Sequence, residues 1–158
     1  MTSIRDLLSF RLHAVANLLS RGAEMRYRRE FGVSLWEWRS VALLGGAAAP
    51  LSLNELARAA GVDKSQMSRV VSGLAARGLV LRAADANDAR GVRLKLGAAG
   101  RRLYGGLMRA AAERNAAFLG ALDARERAVL DAALGKLGER ARGFIQRERA
   151  LAAGPRRR

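Results

Sequence analysis

The side chains of residues 63–77, D-K-S-Q-M-S-R-V-V-S-G-L-A-A-R, have types and a spacing that suit hydrogen bonding to another molecule. In a helix, one stripe of this stretch would be apolar, formed by Met67, Val70, Val71 and Leu74. The other side, which we call the recognition face, would carry Lys64, Ser65, Gln66, Ser68 and Arg69. Hydroxyl, amide and guanidinium groups hydrogen-bond base edges and phosphates in a DNA major groove. The pattern is typical of a DNA-reading helix, but an ordinary amphipathic surface helix shows it too.

The residues before this stretch predict a second, shorter helix. Ser52 and Glu55 have the spacing of a capping box, in which each side chain bonds the other residue's backbone N–H. The inward stripe of this helix consists of Leu53, Leu56, Ala57 and Ala60. Gly61 provides a turn, and Asp63 is a suitable N-cap for the next helix. A short helix, a glycine turn and a helix with a polar outer face together indicate a helix-turn-helix.

Two short strands are predicted after the Gly78 stop. Residues 79–81 are apolar, and residues 92–96 alternate between apolar and basic side chains. The segment between them, R-A-A-D-A-N-D-A-R-G, is rich in turn formers, so the strands should pair as a hairpin. A hairpin that follows a helix-turn-helix makes a winged helix-turn-helix.

Long helices are predicted on both sides of this region. The first covers residues 3–31, and a capping box at Ser34 and Glu37 opens another that stops at Gly45-Gly46. Two more follow the hairpin within residues 98–149, and the last has a narrow apolar stripe: Leu130, Leu134, Leu137, Ala141 and Ile145. The fold class is therefore mainly α with a small β hairpin (α+β). We expect one domain at 1–158, a winged lobe at 34–97 and a disordered basic tail at 150–158.

The composition favours a polyanionic partner and argues against several classes of function. The 29 basic and 14 acidic residues give a formal charge of +15, as expected for a protein that binds nucleic acid or an anionic surface. There is no cysteine and only one histidine, so thiolate chemistry and histidine-rich metal sites are not expected. No catalytic motif is recognisable, and no apolar run approaches the roughly 20 residues of a membrane span. We expect a cytoplasmic protein that is not an enzyme and needs no metal or cofactor.

At this point the sequence resembles the MarR family of bacterial transcriptional regulators across nearly its whole length. The similarity lies in three motifs: F-G-V-S-L-W-E-W-R-S-V-A-L-L, D-K-S-Q-M-S-R-V-V-S-G-L-A-A-R-G-L-V-L-R and N-D-A-R-G-V-R-L-K-L-G-A-A-G. The last is the most specific, because it matches the family's D-x-R wing, L-x-L strand and downstream glycine. Gly97 departs from the threonine that is usual at its position, although glycine is also an acceptable helix cap.

The resemblance implies a homodimer in which the helices at 3–31 and 98–149 form a dimerisation lobe. Two recognition helices would then lie about one DNA turn, or about 34 Å, apart, which predicts a pseudo-palindromic operator on double-stranded DNA.

The resemblance also assigns roles to individual residues. The recognition face would contact base edges and adjacent phosphates, and Arg90 would enter the minor groove from the wing tip. Asp88 would orient the wing through an arginine partner, or serve simply as a turn former. Lys64, Arg77 and Ser52, which stands at a helix N-terminus, are expected at phosphates. Phosphate contact and solvated charge both remain open for Arg58, Arg82 and Arg93.

Many members of the family are released from DNA by a small aromatic acid or phenol. Side chains of the required types here are His13, Trp36, Trp38, Arg39, Tyr104 and Met108. They offer aromatic walls and an imidazole or guanidinium to pair with a carboxylate. Trp38 could equally be a core residue, and His13 a helix-packing residue.

The sequence thus predicts a dimeric, ligand-responsive DNA-binding regulator that acts as a repressor. The alternative is a basic architectural nucleic-acid-binding protein without an effector and with little sequence preference.

Overall fold

The computed structural model describes residues 3–85 and 88–153, and for residues 85 and 88–91 it describes the backbone only. A 3-10 turn at Ile4–Asp6 precedes six helices and three strands in the order α1 (Leu8–Phe31), α2 (Leu35–Gly46), β1 (Leu51–Ser52), α3 (Leu53–Ala60), α4 (Lys64–Ala76), β2 (Val80–Asp85), β3 (Asp88–Leu96), α5 (Ala98–Leu119) and α6 (Ala124–Ala152). The predicted fold class, mainly α with a small antiparallel sheet, is confirmed.

Helices α2, α3 and α4 begin where the capping residues predicted. The Ser34 and Ser52 side chains accept hydrogen bonds from the backbone N–H three residues on, and both capping boxes are complete. The Asp63 side chain caps α4 through the backbone N–H of Gln66. Gly61 ends α3 with a φ of 72°, a left-handed conformation in which a Cβ would be strained. Local hydrogen bonds therefore fix the turn between α3 and α4.

The sheet has three strands, one more than the sequence predicted, in the order β1-β3-β2. β2 and β3 form the expected antiparallel hairpin, with Val80 opposite Leu96. Strand β1 is only two residues long and pairs with β3 by placing Ser52 opposite Arg93. So short a strand has no periodicity of its own and exists because β3 lies beside it.

The chain forms two compact units, residues 1–111 and 112–158. The first contains the buried core, in which Leu56, Met67, Leu74, Leu94 and Leu107 are almost completely inaccessible. The second contains the end of α5 and all of α6, which has no buried residue along its 29 residues.

Two element boundaries differ from the predictions. Ser3 caps the 3-10 turn, and α1 itself begins only at Leu8, because Leu7 has an extended conformation with ψ of 134°. At the other end, α6 continues three residues beyond 149, to Ala152. The rest of the proposed tail, residues 154–158, lies outside the described part of the chain.

Gly97 and Gly100 allow the start of α5 to lie against Gly78 and Leu79, the two residues before β2. A Cβ on Gly97 would stand 2.8 Å from the Gly78 carbonyl oxygen, and one on Gly100 would overlap the Leu79 carbonyl. A threonine at 97 would have to displace the backbone at Gly78, which accounts for glycine at this position.

Candidate nucleic-acid interface

The recognition face is turned outward from α4, as the apolar period predicted. Met67, Val71 and Leu74 are at most 1% exposed, whereas Lys64, Ser65 and Arg69 are exposed. The remaining two residues of the face, Gln66 and Ser68, are partly buried. Ser68 borders a cavity of about 170 Å³ whose lining includes residues of α4 and the sheet. The buried residues anchor α4 in the core and leave the side chains of Lys64, Ser65 and Arg69 exposed to solvent.

The N-terminus of α3 combines a capping box with an ion pair from the sheet. Glu55 Oε2 accepts hydrogen bonds from the Ser52 backbone N–H at 2.7 Å and from Arg93 Nη1 at 3.0 Å. The Ser52 backbone hydrogen bond, then the Ser52 hydroxyl, and then the charges of Arg93 and Arg58 lower the pKa of the Glu55 carboxyl. Ser52 therefore uses its hydroxyl to cap α3, and Arg93 is tied to the same carboxylate.

Two side-chain contacts hold the C-terminal half of α4. Arg77 Nη1 donates to Glu37 Oε1 at 3.0 Å, which joins the end of α4 to the first turn of α2. Arg82 Nη2 donates to the Ser72 hydroxyl at 2.8 Å, which joins β2 to α4. Both contacts restrict how α4 can tilt relative to the helix and strand beside it.

The wing is a hairpin whose register is irregular between Ala84 and Asp85. Such a bulge is common where a hairpin bends or twists strongly. The backbones of Asp88 and Arg90 belong to β3, but their side chains lie outside the described part of the structure. The predicted roles of these two residues therefore stay predictions.

The six candidate ligand residues are distributed over several places in the first unit. Trp38 and Arg39 line an open cavity of about 350 Å³ together with Ala42, Leu43, Ala59 and Ala60, all from α2 and α3. The Arg39 guanidinium lies 4.8 Å from the Trp36 ring centroid and donates to the Ser20 hydroxyl.

The other candidates do not line this cavity. Tyr104 packs closely against Gly45, where a Cβ would overlap its ring. His13 is exposed on α1, and Met108 is 40% exposed on α5. Trp38 also packs on the buried Tyr27, with ring centroids 4.9 Å apart, so it serves the core as well as the cavity.

Sequence reasoning missed Glu37 and Glu55 as partners of arginines. Their capping-box spacing identified both carboxylates, but nothing in the sequence indicates which distant arginine each one meets. Glu37 and Arg77 are 40 residues apart, and Glu55 and Arg93 are 38 residues apart.

The helix-turn-helix buries its apolar side, presents a polar, basic outer face, and is followed by an antiparallel wing. This arrangement defines a winged helix-turn-helix protein of the DNA-binding class. The model of the MarR family matches residues 31–91. A crystal structure of a MarR family transcriptional regulator from Silicibacter pomeroyi DSS-3 is 31% identical, with a TM-score of 0.72, and the match covers 87% of this chain and 99% of that one. The chain belongs to the MarR family of DNA-binding transcriptional regulators.

Two further solved structures are similar. A MarR/EmrR family regulator from Acinetobacter sp. ADP1 has a TM-score of 0.81 and 25% identity, over 90% of this chain and 99% of that one. MepR of S. aureus in complex with DNA has a TM-score of 0.77 over 84% of this chain and 97% of its own, and its 19% identity shows similarity of fold alone. Comparison with curated proteins gave no match.

In the described part of the chain, no helix is both long and apolar enough to cross a membrane.

Proposed function

We propose that this protein is a homodimeric repressor that binds a pseudo-palindromic operator and is released by a small aromatic acid or phenol. The observation that supports this most directly is the recognition face, whose exposed Lys64, Ser65 and Arg69 stand on a helix that buries Met67, Val71 and Leu74. A helix fixed in this way can present the same groups to each operator half-site without reordering them, which limits the entropic cost of binding.

The proposed base and phosphate contacts follow from side-chain chemistry. Arg69 suits guanine and Gln66 suits adenine, because each can form two hydrogen bonds with the edge of that base. Lys64, Ser65 and Ser68 would contact neighbouring bases or phosphates.

The supporting contacts would come from the wing and from two helix ends. Arg90 would reach the minor groove, and Asp88 would orient the wing that carries it. Ser52, at the N-terminus of α3, and Arg77, at the end of α4, would contact phosphates.

The exposed apolar side chains of the terminal helices support a dimer. On α1, Leu8, Val15 and Leu18 are between 53% and 72% exposed, and on α6, Leu130, Leu134 and Ile145 are between 43% and 51% exposed. Apolar faces of this length are unusual on a monomeric protein and mark an interaction surface. A second copy of this chain carries the same faces, so each exposed face could be covered in a two-fold interface.

The cavity beside Trp38 and Arg39 supports a carboxylate-bearing aromatic effector. The indole offers a flat apolar wall, and the guanidinium can pair with a carboxylate through two hydrogen bonds. Four other residues do not line this cavity but remain proposed contacts of the effector: His13, Trp36, Tyr104 and Met108.

The test of operator binding compares DNA from upstream of the protein's own gene with a scrambled duplex at matched salt. We expect the upstream duplex to bind at least about a thousandfold more tightly. A ratio near one would reject the sequence-specific regulator and favour an architectural DNA-binding protein.

The test of the effector is a thermal-shift screen of aromatic carboxylates and phenols, because a ligand that binds the folded state raises the melting temperature. A stabilising compound should also dissociate the operator complex. In Arg39→Gln, stabilisation by carboxylates should be lost while stabilisation by phenols is kept. If the variant and the wild type respond alike to carboxylates, the cavity is not the effector site.

A further inference from the structure

Glu37 uses its two carboxylate oxygens for two different elements. Oε2 accepts a hydrogen bond from the backbone N–H of Ser34 at 2.7 Å and completes the capping box of α2. Oε1 accepts a hydrogen bond from Nη1 of Arg77 at 3.0 Å. The side chain of Glu37 is 20% exposed, whereas that of Arg77 is 43% exposed. The carboxylate is therefore the fixed partner, and the guanidinium extends from it toward solvent.

An arginine side chain is costly to order, because each of its rotatable bonds loses freedom when the guanidinium is held at a phosphate. The ion pair with Glu37 fixes Arg77 before DNA arrives. A guanidinium has five N–H donors in a planar fork, so one hydrogen bond to Glu37 leaves others for a phosphate oxygen. The carboxylate also carries a negative charge that repels phosphate, so its two effects on DNA affinity oppose each other.

We propose that Glu37 is a positioning residue of the DNA interface: it caps α2 and holds Arg77 in place for a backbone phosphate. This inference rests on the proposed phosphate contact of Arg77. It predicts that the positioning effect outweighs the repulsion, so that removing the negative charge of Glu37 weakens DNA binding. Simple electrostatics would predict tighter binding for the more positive protein.

Glu37→Gln separates the ion pair from the cap. Glutamine is accepted at this position of a capping box, and its one carbonyl oxygen can still take the Ser34 N–H. Its NH₂ group would then face the donors of Arg77, with which it cannot pair. The variant should therefore keep α2 capped and release Arg77.

Glu126→Gln is the matched control. Glu126 caps α6 in the same way, accepting the Asp123 backbone N–H at 2.9 Å. Among the described residues it forms no ion pair comparable to that of Glu37. The control makes the same change of charge and the same change of cap on a helix outside residues 34–97.

The experiment measures the affinity of wild type, Glu37→Gln, Glu126→Gln, Arg77→Ala and the double variant Glu37→Gln/Arg77→Ala for the upstream and scrambled duplexes, together with melting temperatures. Glu37→Gln should bind both duplexes about two- to fivefold more weakly, the range expected for a partly exposed ion pair. Arg77→Ala should lower the salt slope of binding by about one, as expected when one phosphate contact is lost. The double variant should bind like Arg77→Ala, and Glu126→Gln should bind like wild type.

The proposal would be overturned if Glu37→Gln bound DNA as tightly as wild type or more tightly. It would also be overturned if Glu37→Gln weakened binding as much in the Arg77→Ala variant as it does in wild type. A lower melting temperature than that of Glu126→Gln, large enough to explain the weaker binding, would reduce the role to a structural one and overturn it too. Phosphate contacts do not depend on sequence. The comparison of the variants on scrambled DNA therefore tests the role of Glu37 even if wild type shows no preference for the upstream duplex. That lack of preference would reject the proposed function and not the role of Glu37.

Discussion

Helices α4 and α6 both show an apolar stripe in the sequence, but only the stripe of α4 contains buried residues. α4 has 13 residues and buries three of them completely, whereas α6 has 29 residues and buries none. The stripe of α4 meets α2, α3 and β2 within the same chain, but that of α6 remains open to solvent. An apolar stripe therefore indicates that a helix has a partner, without indicating whether that partner belongs to the same molecule.

The comparison indicates different roles for the winged lobe and for the terminal helices. The helix-turn-helix and wing pack on a core formed within one chain, so the chain alone can orient the recognition face. In the proposed dimer, the terminal helices bury their stripes only on assembly, and assembly sets the distance between the two recognition faces. An effector that changes this distance would change operator affinity without touching a residue that contacts DNA.

The largest expected effect is on self-association. The double variant Leu130→Glu/Leu134→Glu should convert the proposed dimer to a monomer. Four leucines leave a two-fold interface, which corresponds to roughly 6 kcal/mol or more at about 1.5–3 kcal/mol for each buried leucine. Sedimentation velocity measures the result. Arg142→Glu, on the same helix, makes the same total change of charge and should stay dimeric. A dimeric double variant would show that these leucines lie outside the interface.

Leu74→Ala should instead reduce the stability of the winged lobe. Leu74 is 0% exposed, so truncation removes buried apolar surface and leaves a cavity that costs about 2–5 kcal/mol of unfolding free energy. Denaturation by urea, at a fixed protein concentration, measures the change. In the Leu130→Glu/Leu134→Glu background, a loss as small as that caused by Ile145→Ala, whose side chain is 51% exposed on α6, would remove the distinction between the two helices.

Arg69→Ala and Arg90→Ala should affect neither stability nor dimerisation. Each should cost about 1–3 kcal/mol of specific operator binding, because each deletes a proposed base or groove contact. Titration of the operator by fluorescence anisotropy measures the loss, and Arg109→Ala, an exposed arginine of α5, serves as the control. If both variants bind the operator like wild type, the recognition and wing assignments are wrong.

The smallest expected effect is the pH dependence contributed by Glu55. The pKa of its carboxyl is lowered in the folded protein from an ordinary value of 4.5. The folded state therefore binds fewer protons than the unfolded state, and the stabilisation is complete above this value and lost as the pH falls through the lower, folded-state pKa.

In Glu55→Gln this contribution is absent, so its melting temperature should lie slightly below that of wild type near neutral pH. The difference should shrink as the buffer is made more acidic than pH 4.5. A difference that stays constant across the pH series would show that the Glu55 carboxylate does not supply the stabilisation.

Much of the winged lobe follows from signals that lie close together in the chain. The capping pairs Ser34 with Glu37 and Ser52 with Glu55 are three residues apart, and they marked the starts of α2 and α3 correctly. The 3.6-residue period of α4 identified its buried stripe for the same reason, since each apolar residue is one turn from the next. The resemblance to the MarR family, stated from three motifs, is confirmed.

The features that could not be predicted depend on residues far apart in the chain. Strand β1 exists because Ser52 meets Arg93 across the sheet, and Arg77 finds Glu37 only when α4 packs on α2. The cavity beside Trp38 and Arg39 likewise needs α3 to close one side. Local hydrogen bonds and periodicity are encoded within a few residues, so the sequence alone determined the helices, their caps and the recognition face. Pairing between distant elements depends on packing, so only the tertiary structure decided which arginines are held and which apolar faces remain uncovered.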